Sequence, residues 1–154
     1  MSIQIVLGSK SDMKVAEKAV VVLKELGLSY RLSVASAHRT PELVDKLVAE
    51  ADAEVFIAIA GLSAALPGVI AARTMKPVIG VPVSGALNLD AILSVVQMPP
   101  GIPVAGVGLD RGENAALLAA AIIALKDEKV AKALKLYRQR LKDSVIQDSK
   151  EVEV

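Results

Sequence analysis

The chain has no cysteine and no tryptophan, and its 154 residues hold a single histidine (His38), a single phenylalanine (Phe56) and two tyrosines (Tyr30 and Tyr137). Without cysteine there is no disulfide and no thiolate nucleophile, and one histidine alone cannot build a zinc centre of the Cys/His kind. With aromatics at 2%, ring platforms on which nucleic-acid bases could stack are missing. An excess of charge of one sign is missing too: 18 Lys and Arg against 17 Asp and Glu leave +1, which is no electrostatic footprint for DNA or RNA. Every apolar run is broken well short of the roughly 18 residues that suggest a membrane span. The opening "MSIQIVLG" has no basic segment followed by a long apolar one, so no signal peptide is expected. These absences together predict a cytoplasmic protein. Three chemical signatures are also absent: a Walker-type Gly-Lys-Ser/Thr, a Gly-x-Ser-x-Gly elbow, and an Asp/Glu cluster able to hold a metal pair.

What is present is apolar and small. Hydrophobic residues make up 53% of the chain, enough for a core, and the length suits one domain. That core must be Ala, Val, Leu and Ile packed closely. Residues 3–8, "IQIVLG", read as a buried strand that stops at a glycine. After it, Val15, Ala19, Val22, Leu23 and Leu26 recur at helical spacing, with Gly27 as the stop. A second strand is predicted over 30–35 and a second helix after it, with Pro41 in its first turn. The continuous apolar run "EVFIAIAG" suits a strand buried on both faces of a parallel sheet. A short helix around Pro67, a strand over 76–83, a helix over 88–98, a strand over 102–108 and an Ala-rich helix over 111–125 complete five strand–helix repeats.

Such alternation demands parallel strands joined by right-handed crossovers, with helices on both faces. The predicted fold is a three-layer α/β/α sandwich with a flavodoxin-like five-stranded parallel sheet. In open sheets of this kind the ligand sits beyond the carboxyl ends of the strands, where the strand order reverses. The loops to inspect are therefore "GSKSD", "ASAHRT", "AGLSAALPG", "VPVSGALNLD" and "GLDRGEN". Residues 1–126 make the sandwich, and residues 127–154 continue as an extra amphipathic helix. Its stripe of Val130, Leu134, Tyr137, Leu141 and Val145 serves either subunit packing or docking on its own domain.

In "LGSKSD" a glycine, two serines and an aspartate stand where a strand yields to a helix. Backbone amides and hydroxyls there suit an anion, and Asp12 suits ribose hydroxyls, although from this stretch alone an ordinary cap by Ser11 or Asp12 is preferred. "SAHRTP" brings His38 and Arg39 to the same sheet edge: arginine is permanently charged and suits a phosphate, while histidine titrates near neutrality and suits proton transfer. His38 is the best-placed acid–base group of the chain. Gly61 and Gly68 in the third loop leave room for close backbone approach to a ligand. Asp110, Arg111 and Glu113 read as a cap for the last helix or as a site wall, with capping preferred.

At these residues the chain resembles a known family. "GSKSD", "ASAHRTPE", "GLSAALPGVIAARTMKPVIGVPV" and "VVQMPPGIPVAGVGLDRGENAALLAA" are similar, in order across residues 3–125, to the N5-carboxyaminoimidazole ribonucleotide mutases of purine biosynthesis, also called the catalytic subunit of phosphoribosylaminoimidazole carboxylase. The resemblance implies a homo-octamer of flavodoxin-like subunits that binds an aminoimidazole ribonucleotide and handles carbon dioxide, with no metal and no organic cofactor. It further implies that Ser9, Asp12 and Arg39 contact the nucleotide, with Ser36, Gly61 and Leu62 beside them. His38 would transfer the proton. There is one departure. Many mutases of this family carry "AAHLPG" in the third loop, whereas this chain has "SAALPG", with Ala65 at the histidine position. A related class that carboxylates aminoimidazole ribonucleotide directly also lacks that histidine, while Pro67 and "QMPPGIPV" look more like the mutase class. Mutase activity is the preferred expectation and direct carboxylation the alternative. A non-catalytic flavodoxin-like module stands third, since a flavin site offers aromatic walls and these loops have none.

Overall fold

The computed structural model describes residues 2–152. Five strands, β1 (Ser2–Leu7), β2 (Ser29–Val34), β3 (Val55–Ala60), β4 (Val78–Pro82) and β5 (Ala105–Gly106), pair in parallel in the order β2-β1-β3-β4-β5. This is the predicted flavodoxin-like order. Helices α1 (Met13–Glu25), α2 (Pro41–Glu50), α3 (Leu66–Ala71), α4 (Asn88–Val96), α5 (Gly112–Ala124) and α6 (Glu128–Val152) follow the strands.

Side chains alternate across a strand with period two, so each central strand feeds two cores. Ile3, Ile5 and Leu7 of β1 with Val55, Ile57 and Ile59 of β3 pack against α1 and α5. Val6, Phe56, Ala58 and Ala60 pack on the opposite face against α2, α3 and α4. Because both faces are covered, every residue of β3 is buried, as its unbroken apolar run predicts. Gln4, the polar residue of β1 that faces inward, satisfies its amide by donating to Ser33 Oγ and the Ile5 carbonyl, both at 3.1 Å.

The scarcity of aromatics is met by close backbone approach. Ala115, Ala116, Ala119 and Ala120 of α5 are fully buried against Ala16 and Ala19 of α1. At Gly112 the helices come so near that a Cβ would stand 2.1 Å from the Val15 carbonyl oxygen.

Two elements differ from the sequence-based expectation. β5 keeps two sheet residues of the seven expected over 102–108. After Val107 donates to the Gly80 oxygen at 3.1 Å, the neighbouring strand reaches Pro82, which has no N–H to give. The stripe of α6 divides in two. Val130 is buried, and Leu134 and Tyr137 are half-buried on the α1/α5 core, so the first turns dock on their own domain. At 25 residues, or about 37 Å at 1.5 Å per residue, α6 outruns the 13-residue α5 beneath it, and Leu141 and Val145 stay exposed with Leu136 and Ile146.

Candidate active site

The strand order reverses between β1 and β3, and the loops leaving β1, β2, β3 and β4 converge there on a cavity of about 470 Å³. Its size suits a small organic ligand. All seven site residues named from the sequence line it: Ser9, Asp12, Ser36, His38, Arg39, Gly61 and Leu62.

The β1 loop closes on itself. Ser9 caps the 3-10 turn Lys10–Asp12, its Oγ accepting from Ser11 N at 3.4 Å, while the Ser9 amide donates to Asp12 Oδ2 at 3.0 Å. This reciprocal box is what Ser-x-x-Asp at the end of a strand can build. The capping role read from sequence thus falls on Ser9 and Asp12, with Ser11 supplying a donor instead: its hydroxyl gives to Asp12 Oδ1 at 3.3 Å. Asp12 is only 6% exposed. Burial pushes its carboxyl above the ordinary 3.8, although hydrogen bonds from Ser11 and Ser9 and the nearby Arg39 charge pull the other way.

The β2 loop is also self-contained. Ser36 N donates to Thr40 Oγ1 at 2.9 Å and Thr40 N to the Ser36 carbonyl at 3.0 Å, which bends residues 37–39 into a turn ahead of Pro41. His38 and Arg39 occupy that turn and are exposed toward the cavity. Arg39 spans two loops, its Nε donating to Ser36 Oγ at 3.3 Å and its Nη2 to the Gly8 carbonyl at 3.2 Å. It is the only lysine or arginine among the described lining residues.

In the β3 loop the left-handed residue is Ala64, at φ +46°, rather than Gly61, and Ala64 N donates back to the Gly61 carbonyl. Leu62 stands at the rim, 69% exposed. Gly68 lies away from the cavity. A Cβ on it would come within 3.1 Å of Met98 Sδ, so its smallness serves the packing of α3 on the segment after α4.

Asp110, Arg111 and Glu113 do not line the cavity. Nor does a side chain cap α5, whose first flanking residue is Arg111. Asp110 instead accepts the Ser84 amide at 2.8 Å, and Arg111 pairs with Glu113 at 3.3 Å. The structure adds Ser63, Val83 and Ser84 to the lining. Their loops were marked by the sequence, but small residues beyond a strand end carry no signal of which one faces inward.

The set has one guanidinium for an anionic group, one buried carboxylate that accepts from hydroxyls, one imidazole for proton transfer, and serine hydroxyls around them. A phosphorylated nucleoside matches that set.

Residues 2–144 match the family model described as AIR carboxylase. The chain is 61% identical over 149 residues to a protein of Methanocaldococcus jannaschii named N5-carboxyaminoimidazole ribonucleotide mutase, covering 96% of this chain and 95% of that one. A protein of the same name from Pyrococcus abyssi is 52% identical over 143 residues, covering 90% of this chain and 82% of that one. The crystal structure of Treponema denticola PurE superposes with a TM-score of 0.91 at 34% identity, covering 99% of both chains. With a family model spanning nearly its whole length and such relatives on either side, this chain belongs to the AIR carboxylase family.

Proposed function

We propose that this chain is an N5-carboxyaminoimidazole ribonucleotide mutase of purine biosynthesis, moving a carboxylate from N5 to carbon 4 of the imidazole with His38 as the acid–base group. The observation that carries this reading is the gathering of His38, Arg39, Asp12 and Ser9 around one cavity, in a chain so similar to proteins named for that reaction. Arg39 and the Ser9 loop hold the nucleotide, Asp12 accepts from its ribose hydroxyls, and Ser36, Gly61 and Leu62 border it.

The chemistry then needs one imidazole. The N5–carbon bond breaks to release carbon dioxide, and protonated His38 returns a proton to N5. Carbon 4 attacks the retained carbon dioxide, and the now neutral His38 removes the carbon 4 proton, ending as it began. Protons, carbon and charge all balance without an outside reagent. General acid–base catalysis of this kind contributes about 10²–10⁴-fold. Holding carbon dioxide against the ring contributes up to roughly 7–11 kcal/mol of the barrier through proximity. His38→Asn should fold and bind nucleotide while turnover falls by about 10²–10⁴-fold. Near-normal turnover in that variant overturns the role of His38.

Ala65, which lines the cavity where many mutases carry histidine, favours one second reading: direct carboxylation of aminoimidazole ribonucleotide. Turnover of the N5-carboxylated substrate, unaffected by added bicarbonate, supports the mutase. Use only of the uncarboxylated nucleotide, rising with bicarbonate, supports the carboxylase. The exposed Leu136, Leu141, Val145 and Ile146 of α6 support subunit packing, and the homo-octamer that the family resemblance implies would have a mass in solution of eight times 16.0 kDa.

A further inference from the structure

We infer that Asp110, which lies outside the cavity, is a positioning residue for it, fixing the β4 wall at Ser84 by standing in for the missing end of β5. The inference rests on the nucleotide-binding function proposed above and adds a residue to it.

In a parallel ladder alternate residues of a strand face a given neighbour. Along the β5-facing edge of β4, the Gly80 carbonyl takes the Val107 amide at 3.1 Å and the Pro82 carbonyl takes the Asp110 amide at 2.9 Å. Pro82 offers no N–H in return. The next donor on that edge is the Ser84 amide, and it goes to Asp110 Oδ1 at 2.8 Å. A single residue thus gives β4 a donor at Pro82 and an acceptor at Ser84, as one residue of a regular parallel strand does with its own amide and carbonyl; here the carboxylate takes the place of the carbonyl.

Local conformation makes this double contact feasible. Asp110 sits at φ +58°, with Arg111 N donating to the Gly108 carbonyl at 3.0 Å to close the turn. Aspartate is one of the few non-glycine residues that visit this region, since its short polar side chain bonds locally. Lys18, from α1, donates its ammonium to the Asp110 carbonyl at 3.0 Å and so holds the following peptide of the same residue. Lys18 and Arg111 are the cations facing the carboxylate, and neither lines the cavity.

What is fixed matters to the site. Val83 is still bonded to the sheet, its amide donating to the Ala60 carbonyl at 3.0 Å, whereas residues 84–90 are exposed. Ser84 is therefore the last anchored point of the β4 wall before a loop that is next tied where Gly85 N donates to Asn88 Oδ1 at 2.8 Å. Releasing Ser84 frees one wall of the cavity while leaving His38, Arg39 and Asp12 in place.

Two substitutions separate the acceptor from the backbone conformation. Asp110→Gly keeps left-handed freedom and loses the acceptor; Asp110→Asn keeps both. With steady-state turnover of the N5-carboxylated nucleotide as readout, Asp110→Gly should raise KM about tenfold and change kcat less than about threefold, the size expected for one hydrogen bond to a charged group. Asp110→Asn should stay within about threefold of the parent on both. Lys18→Met, which leaves the Asp110 carboxylate and its turn intact, should raise KM by about threefold.

An active parent with KM unchanged in Asp110→Gly and Lys18→Met overturns the inference and leaves the proposed function standing. Equal defects in Asp110→Asn and Asp110→Gly overturn the acceptor role. If Asp110→Gly does not fold, an unchanged KM in Lys18→Met overturns it. A parent inactive on both nucleotides overturns the proposed function, and this inference with it.

Discussion

The loops after β1 and β2 are tied by residues three and four positions apart, Ser9 with Asp12 and Ser36 with Thr40, whereas Ser84, the point where the loop after β4 leaves the sheet and lines the cavity, is tied to Asp110, 26 positions away, and only the loop beyond it closes locally, through Gly85 and Asn88. Short ties form whenever the local backbone forms, so the first two loops arrive at their geometry independently of how the helices pack. The long tie exists only once α1, β4 and the start of α5 are assembled, because Lys18, Pro82 and Arg111 all meet at Asp110. One side of the site is thus organised locally and holds the imidazole, guanidinium and buried carboxylate to which the proposed chemistry is assigned. The other is organised by the tertiary fold and shapes the space.

The sharpest way to break that contrast is at Arg39, the side chain that joins the two self-closed loops through Gly8 and Ser36. Arg39→Ala removes the only lysine or arginine among the described lining residues, so binding of the carbon 4-carboxylated nucleotide should weaken by about 10–150-fold, as expected for a charge-assisted contact of about 1.5–3 kcal/mol. Arg39→Lys should recover little of it, because an ammonium cannot fork between two acceptors as a guanidinium does. The folded state should shift by no more than about 0.5 kcal/mol, since Arg39 is a surface residue and each loop keeps its own ties. Calorimetric titration and urea denaturation read the two quantities separately. A large loss of stability would mean that the loops depend on Arg39 to close, and the contrast would fail.

The same division governs what the sequence discloses. β-branched runs alternating with helical periods announce a doubly wound sheet, and the topological rule then puts GSKSD, SAHRT and GLSAALPG at one edge, which is where Ser9, Asp12, His38, Arg39, Gly61 and Leu62 are found. Serine and aspartate three positions apart, or serine before Thr-Pro, make bonds whose partners are visible in the string. Asp110 defeats such reading. Next to a predicted helix start it looks like a cap, and nothing nearby shows that its partner is the Ser84 amide. The left-handed Ala64 is hidden as well, because alanine carries no signal for a positive φ in the string. The early end of β5 turns on Pro82 in a different strand, and the overhang of α6 on the relative lengths of two helices.

The two carboxylates on either side of this contrast should also respond to pH in opposite directions. Asp12 is buried, which raises its pKa above 3.8 against the pull of the Ser11 and Ser9 hydrogen bonds and the Arg39 charge. The folded state then binds more protons than the unfolded one between the ordinary value and the raised one, and stability falls as pH rises through that window. The Asp12 contribution is complete below 3.8 and lost at neutral pH. At Asp110 some desolvation is outweighed by the Ser84 hydrogen bonds and the charges of Lys18 and Arg111, which hold the carboxyl below 3.8. Its contribution is present above the ordinary value and is lost as pH falls through the lowered one. Asp12→Asn should therefore leave the thermal midpoint at neutral pH equal to or above that of the parent, because the amide oxygen can still accept from Ser9 N and no buried charge remains. The difference should close as the pH is brought to 3.8 and below, where the parent carboxyl is itself neutral. Nucleotide affinity should meanwhile fall by about tenfold, the cost of exchanging a charged acceptor for a neutral one. Melting curves recorded from pH 3 to 8 on both proteins check the sign. A variant less stable than its parent at neutral pH would show that the ionised box stabilises the β1 loop, making Asp12 a structural tie of the kind Asp110 provides across the cavity.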